Sequence, residues 1–251
     1  MTNDFWGESP NPNWKLGDGS SNDEWKKHKK ISINPSDQSR DGLKNYKMIC
    51  GAVTPRPIGF ISTIKANGVN NLAPFSYFNV VAADPPLFTV SFSGSSNKDT
   101  LEALLLNKEL TINIISEWMI EAANLTAIVA GPEIDEWELS GLTPVPSEVV
   151  KPPHVAESGF SIEAKLIDVK TYDSKFKPGT RSSTICIVEG VNFHVREDLI
   201  DQDLIMVDTG KLKPVGRLGG NCYSTITAGY ELPRFNYENL DKEELERIRK
   251  E

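Results

Sequence analysis

Val53 to Thr100 reads VTPRPIGFISTIKANGVNNLAPFSYFNVVAADPPLFTVSFSGSSNKDT, and the fold is decided in this stretch. Pro57 to Ile64 is a strand-like run that reaches Asn67-Gly68, a pair that tolerates positive φ at both central positions of a tight turn. A β-hairpin is expected. In Leu87 to Ser93, Phe88, Val90 and Phe92 alternate with Leu87, Thr89, Ser91 and Ser93, the pattern of a strand with one face in a core. Ser96 to Asp99 has the S-x-x-[DE] form of a helix capping box, and Leu101, Leu104 and Leu105 then share one helical face. The first turn of such a helix offers free backbone N–H groups and the positive end of the helix dipole. Ser93, Ser95, Ser96, Lys98 and Thr100 add hydroxyls and an ammonium, a setting that suits a phosphate. The same residues also describe an ordinary capped surface helix, and nothing here matches the Walker pattern.

Composition narrows the classes. The chain has 251 residues, enough for one large domain or two small ones, and 39% hydrophobic content supports a core. A net charge of −8 argues against nucleic-acid and anionic-membrane partners, which need clustered cationic surface. No apolar run approaches the ~18 residues of a membrane span. The start MTNDFWGESPNPNW lacks the basic-then-apolar order of a signal peptide, so a cytoplasmic location is expected. Cys50, Cys186 and Cys222 are far apart and form no C-x-x-C, so neither a disulfide framework nor a metal site is expected.

Outward from the central block the signals weaken. Residues 1–40 are polar, with Trp6, Trp14, Trp25 and the basic run Lys26, Lys27, His28, Lys29, Lys30. They read as a flexible extension, or as an arm whose tryptophans clasp a partner subunit. Arg56, between Pro55 and Pro57, is held extended, aimed at a surface carboxylate or at a cofactor. Leu110 to Ile115 reads as a returning strand and Glu117 to Ile128 as a helix. Gly131 to Pro153 is broken by prolines into an irregular excursion anchored by Trp137 and Leu139. His154 has no second His or Cys at ligand spacing and reads as a surface residue. Ile162, Ala164 and Leu166 alternate, then Ile167 and Val169 switch face, which predicts a bulge near Leu166, and Gly190 marks a second one. His194 points opposite Phe193 and Val195, as a hydrogen-bonded structural residue or a catalyst would. PVGRLGGNCY, Pro214 to Tyr223, is not a Rossmann fingerprint, and its Arg217 fits either a surface ion pair or a ligand contact. The end, NYENLDKEELERIRKE, reads as a solvated helix with Glu243–Arg247 and Glu246–Lys250 pairs at i,i+4.

No Ser-His-Asp set, H-E-x-x-H or nucleophile elbow can be assembled, so any chemistry falls to a cofactor. The pieces PRPIGFIST, NLAPFSYFN, DPPLFTVSFS, KDTLEALLLNKELTINI, WELSGLTPVPS, SGFSIEAKL, VEGVNFHV and PVGRLGGNCY succeed one another between Tyr46 and Tyr223. In that order they resemble the flavin reductase-like family. The resemblance implies a mainly β, FMN-binding split β-barrel, antiparallel and of Greek-key type, with short helices. The barrel domain would span 41–231, between the 1–40 extension and a charged helix over 232–251. It implies an NAD(P)H-dependent flavin oxidoreductase; a bound-FMN electron carrier and a non-catalytic flavin-binding module are the alternatives. FMN is preferred to FAD because no second nucleotide fingerprint is present for an adenylate half.

By that resemblance Asn71 to Asn79, with Pro74 and Phe75, runs along the isoalloxazine, Ser76 near its polar edge and Tyr77 or Phe78 near its face. Ser93 to Thr100 corresponds to the phosphate loop, in which Lys98 and Thr100 are the main side-chain contacts beside Ser93, Ser95, Ser96 and Asp99. Arg56 and Arg217 are further cofactor contacts, and His194, in G-V-x-x-H-V, is the catalytic candidate. Family members are usually homodimers. Apolar neighbours on both strand faces, Leu87 with Phe88 and Ile61 with Phe60, independently call for a second cover.

Overall fold

The expected hairpin forms, with a different turn. In the computed structural model, which describes residues 5–37, 39–96, 98–240, 242, 245, 246 and 248, strand β1 (Gly59–Ile64) pairs antiparallel with β2 (Asn70–Phe75). Gly68 N donates to Lys65 O at 2.9 Å and Lys65 N to Val69 O at 2.8 Å, and Gly68 has φ +84° while Asn67 keeps a negative φ. This is a longer loop closed by a glycine bulge, so left-handed backbone is needed at Gly68 alone. Asn67 uses its side chain instead: Oδ1 accepts from Val69 N at 3.1 Å and Nδ2 donates to Pro132 O at 3.2 Å.

Five more strands complete one antiparallel sheet. They are β3 (Phe78–Ala83), β4 (Pro86–Ser93), β5 (Glu109–Ile114), β6 (Phe160–Asp173) and β7 (Arg181–Val195), and the order across the sheet is β2-β1-β5-β6-β7-β4-β3. The alternation in β4 holds, with Phe88, Val90 and Phe92 in the core. Helix α1 (Gly42–Ala52) precedes the sheet, and α2 (Asp99–Asn107) comes after β4. Leu101 and Leu104 of α2 are fully buried with Ile61, Leu110, Ile112 and Val188. Each such side chain stabilises the fold by about 1.5 to 3 kcal/mol.

Both expected bulges are present. The register passes from Ile187↔Asp168 to Val188↔Leu166, which leaves Ile167 as the extra residue, one position beyond the expected site. It passes from Gly190↔Ala164 to Asn192↔Glu163, which leaves Val191 over, beside the expected Gly190. Each extra residue reverses the facing of the strand beyond it.

The helix expectations need correction. The capping box from Ser96 does not form: α2 begins at Asp99, with Lys98 at the cap position and no side-chain cap. Arg181 donates through Nε to Gly94 O at 3.1 Å and through Nη2 to Ser96 O, which holds this loop along β7 and outside the helix. The expected helix from Glu117 to Ile128 divides into a 3-10 turn, Glu117–Met119, and α3 (Ile120–Leu125), after which Thr126 Oγ1 bonds back to Ala123 O at 2.9 Å. Helix α1, capped by Asp41 Oδ1 accepting from Lys44 N at 2.8 Å, was not anticipated. The proline-rich excursion holds one short helix, α4 (Glu136–Ser140), started by the Asp135 carboxylate and ended by Gly141. Trp137 is its buried anchor, but Leu139 is half-exposed and anchors nothing. A last antiparallel pair joins β8 (Val215–Arg217) to β9 (Tyr223–Thr225).

The chain divides into a unit of residues 36–226, which holds the sheet, and a unit formed by 1–35 with 227–251. In the second, Trp6–Gly7 pairs parallel with Gly229–Tyr230, and the Trp14 ring lies 5.9 Å from that of Phe235. Trp25 is exposed. The expected charged pairs Glu243–Arg247 and Glu246–Lys250 lie outside the described residues.

Candidate functional site

Where β2 turns into β3, its last residues stand opposite the end of β4 and the start of α2, and a cavity of about 430 Å³ opens between them. Pro74, Phe75, Ser76 and Tyr77 line it from the turn. Ser93, Ser96, Lys98, Asp99 and Thr100 line it from the loop and helix. Ser91 N donates to Tyr77 O at 2.8 Å, which ties the turn to β4. Asn71 is buried, and its Nδ2 donates to Thr63 Oγ1 at 3.1 Å and to Thr100 Oγ1 at 2.9 Å. Burial, reinforced by a 3.4 Å contact between the Tyr77 hydroxyl and Cys50 Sγ, pushes that phenol well above its usual pKa, so it stays protonated. Lys98 is exposed and has no ion-pair partner among the described residues.

Other expected residues lie outside this cavity. Phe78 belongs to the core, with its ring stacked on Phe88 at 6.2 Å and pressed on Gly59. Asn79 Oδ1 is occupied by Val80 N at 2.9 Å. Ser95 is exposed on the loop without lining the cavity. Arg56 is buried behind the wall. Its guanidinium donates to the carbonyls of Cys50 at 2.6 Å, Val53 at 2.9 Å and Leu218 at 3.0 Å, with Nε 3.4 Å from Ser76 Oγ.

Several lining groups were not anticipated: Tyr46, Ser91, the 126–130 segment and Glu136. Glu136 is 6% exposed, and its Oε1 lies 3.3 Å from Lys65 Nζ. The same ammonium donates to Ile134 O at 2.7 Å and lies 3.7 Å from Asp99 Oδ2. Glu136 Oε2 has no hydrogen-bond partner among the described residues. An unsatisfied buried acceptor costs about 1 to 3 kcal/mol, and more when charged, and this oxygen is itself closed off from the cavity.

A smaller cavity of about 180 Å³ adjoins the first, sharing Tyr46, Pro74, Ser76 and Ala127 with it. It contains Arg217, whose guanidinium lies 4.3 Å over the Tyr223 ring.

His194 stands elsewhere. It lies on β7 nine residues beyond Ile185, which pairs with the cavity residue Ser91, and on the other side its register passes through Ser161, Asn113 and Phe60 before it reaches Pro74. Its Nε2 is 2.6 Å from Glu163 Oε1, and its ring stacks on His154 at 4.1 Å. His154 is thus partly buried against a second imidazole, not a surface residue, because its short strand, paired with Pro144–Val145, lies against His194, forty positions away in sequence. Burial, then the neighbouring His194, holds the His154 imidazole below its ordinary pKa. Burial alone would raise the Glu163 carboxyl. Hydrogen bonds from Glu148 N, Asn192, His194 and Val149 N outweigh it and bring the pKa to about 2.

A domain described as flavin reductase like matches residues 51–215. The chain belongs to the flavin reductase-like family. A protein of Aquifex aeolicus is 38% identical over 187 residues that cover 73% of this chain and 90% of that one. The crystal structure of nitrilotriacetate monooxygenase component B from Bacillus cereus superposes with a TM-score of 0.76 at 34% identity, over 82% of this chain and 100% of the other. That of the 2-nitrobenzoate 2-nitroreductase of Pseudomonas fluorescens does so with a TM-score of 0.71 at 29% identity, over 82% and 98%.

Proposed function

We propose that this chain is an FMN-binding oxidoreductase that draws electrons from NADH or NADPH, in the manner of a flavin reductase. The observation that carries the reading is the 430 Å³ cavity. It gathers Asn71, Pro74 to Tyr77, Ser93, Ser96 and Lys98 to Thr100, the flavin contacts that the sequence implies, in a family named for flavin reduction. The donor set fits the group. The uncapped first turn of α2, with Lys98 and the Ser93 and Ser96 hydroxyls, offers N–H, ammonium and O–H groups to a phosphate. Pro74, Phe75 and Tyr77 give apolar surface for a ring, and the protonated Tyr77 hydroxyl adds no charge beside it.

Bound FMN supplies the electron transfer; the protein positions it and sets its surroundings. The seven-stranded sheet, whose edge strands β2 and β3 are joined by Ser76 and Tyr77, is read as the family's split barrel. A homodimer belongs to the same reading, supported by exposed Val80 and Val81 on edge strand β3 and by exposed Phe193 and Ile167. So does a cytoplasmic location; no helix among the described residues is long and apolar enough to cross a membrane.

An absorbance spectrum of the purified protein, with anaerobic addition of NADH and then of NADPH, tests the reading. Flavin bands that bleach with either nucleotide are expected. Flavin that bleaches only with a reduced protein donor would make the chain an electron carrier, and a protein that takes up no flavin would end the proposal.

A further inference from the structure

The smaller cavity has a chemistry of its own. At about 180 Å³ it falls below the ~300 to 1,000 Å³ of pockets for drug-sized ligands, so it takes a single ring and not a dinucleotide. Ile58, Ile115 and Ala123 back it, at 5%, 1% and 0% exposure, while the surface it presents is more polar than apolar. Its polar groups include free donors beside the hydroxyls of Tyr46 and Ser76. Tyr223 OH donates to Asn124 Oδ1 at 2.7 Å, which leaves the Asn124 amide N–H groups without a partner among the described residues. Arg217 Nη2 donates to Gly220 O at 2.7 Å, and the other guanidinium N–H groups have no such partner either. Its Cζ lies 4.3 Å over the Tyr223 ring, and with the bond to Gly220 O this holds the head group in place. Among the described residues no carboxylate lines this cavity, whereas Asp99 and Glu136 line the larger one.

We propose that this cavity is a subsite for a small carboxylate, a one-ring acid being the size that fits, with Arg217 as its charge partner and Asn124 as a second donor. Arg217 then meets the ligand and not the flavin. The proposal rests on the flavin reading in one respect: the shared Pro74, Ser76 and Ala127 place a ring held here beside whatever fills the larger cavity. The competing occupant is the neutral nicotinamide ring of a reduced pyridine nucleotide, which has the same size and no charge.

Calorimetric titration of the FMN-loaded protein with benzoate, nicotinate and nicotinamide separates the two. The carboxylates are expected to bind about tenfold or more tightly than nicotinamide, the scale of one charge-assisted hydrogen bond. Arg217→Gln should abolish that preference and Arg217→Lys should keep part of it, at melting temperatures close to the parent's. If Arg217→Gln melts early, Arg217→Lys decides, since only a lost charge contact is rescued by lysine. Equal affinity for nicotinate and nicotinamide, no carboxylate binding by the parent, or an undiminished preference in Arg217→Gln overturns the proposal. Should the protein take up no FMN, the flavin reading alone fails, and the same titration of the flavin-free protein decides the subsite.

Discussion

Lys98 and Thr100 were expected to act alike on a phosphate, and their surroundings divide them. Lys98 is exposed at the cavity, so Lys98→Ala is expected to remove a charge-assisted hydrogen bond of about 1.5 to 3 kcal/mol and to weaken FMN roughly 10- to 100-fold. Riboflavin, which lacks the phosphate, should bind as before; equal losses for both flavins by fluorescence titration would move the phosphate elsewhere. Thr100 is 2% exposed and accepts from Asn71, so Thr100→Ala should lower the melting temperature and cost about 1 kcal/mol, with FMN and riboflavin affected alike. Lys98 was legible because an ammonium among hydroxyls has a chemical signature. The 126–130 segment, TAIVA, has none, and Glu136 owes its place to Lys65, seventy-one positions away.

Local elements were the most legible. Alternation in β4 and the face switch in β6 are written in neighbouring residues, and the strands obey them, whereas β7 buries its even positions Cys186 and Val188 and not its more apolar odd ones. The capping box failed because a distant residue, Arg181, took the Ser96 carbonyl; no reading of 96–99 alone contains that contact. The strongest element-level test concerns Glu163, which binds the 148–150 backbone to β6 through Glu148 N at 2.9 Å, Val149 N at 2.6 Å and Val150 N at 2.8 Å. Its carboxyl titrates near 2 when folded against 4.5 ordinarily, so the unfolded chain takes up the proton first. The stabilisation is therefore complete above pH 4.5 and is lost as pH falls toward 2. Glu163→Gln is expected to cost about 3 kcal/mol at neutral pH and to approach the parent's stability as the medium is acidified, read by urea unfolding at several pH values. A gap that stays constant with pH would refute this. Gly59→Ala should also destabilise, by about 1 to 3 kcal/mol, since its Cβ would lie 2.9 Å from Phe78 Cγ; a denaturant midpoint unchanged from the parent's would count against that packing.

At the scale of the molecule, FMN is expected to raise the melting temperature in proportion to the logarithm of its concentration, as any ligand of the native state must. Light scattering should give twice 27.8 kDa, and the single-chain mass at micromolar concentration would exclude the dimer. Strand order was not legible in residue patterns, because β5–β6 and β4–β7 join segments far apart in the chain and alternation does not name a partner; only the family resemblance pointed to the architecture.

Arg56 carries a consequence for how the protein is made. Its guanidinium reaches Leu218 O across 162 positions, while its bonds to Cys50 and Val53 are local. A chain still on the ribosome has α1 and the first hairpin long before it has Leu218, and until then one arm of a cation meant for burial has only water to bind. The wall behind Ser76 therefore sets late, and vectorial synthesis delays a finished pocket until Leu218 has been made.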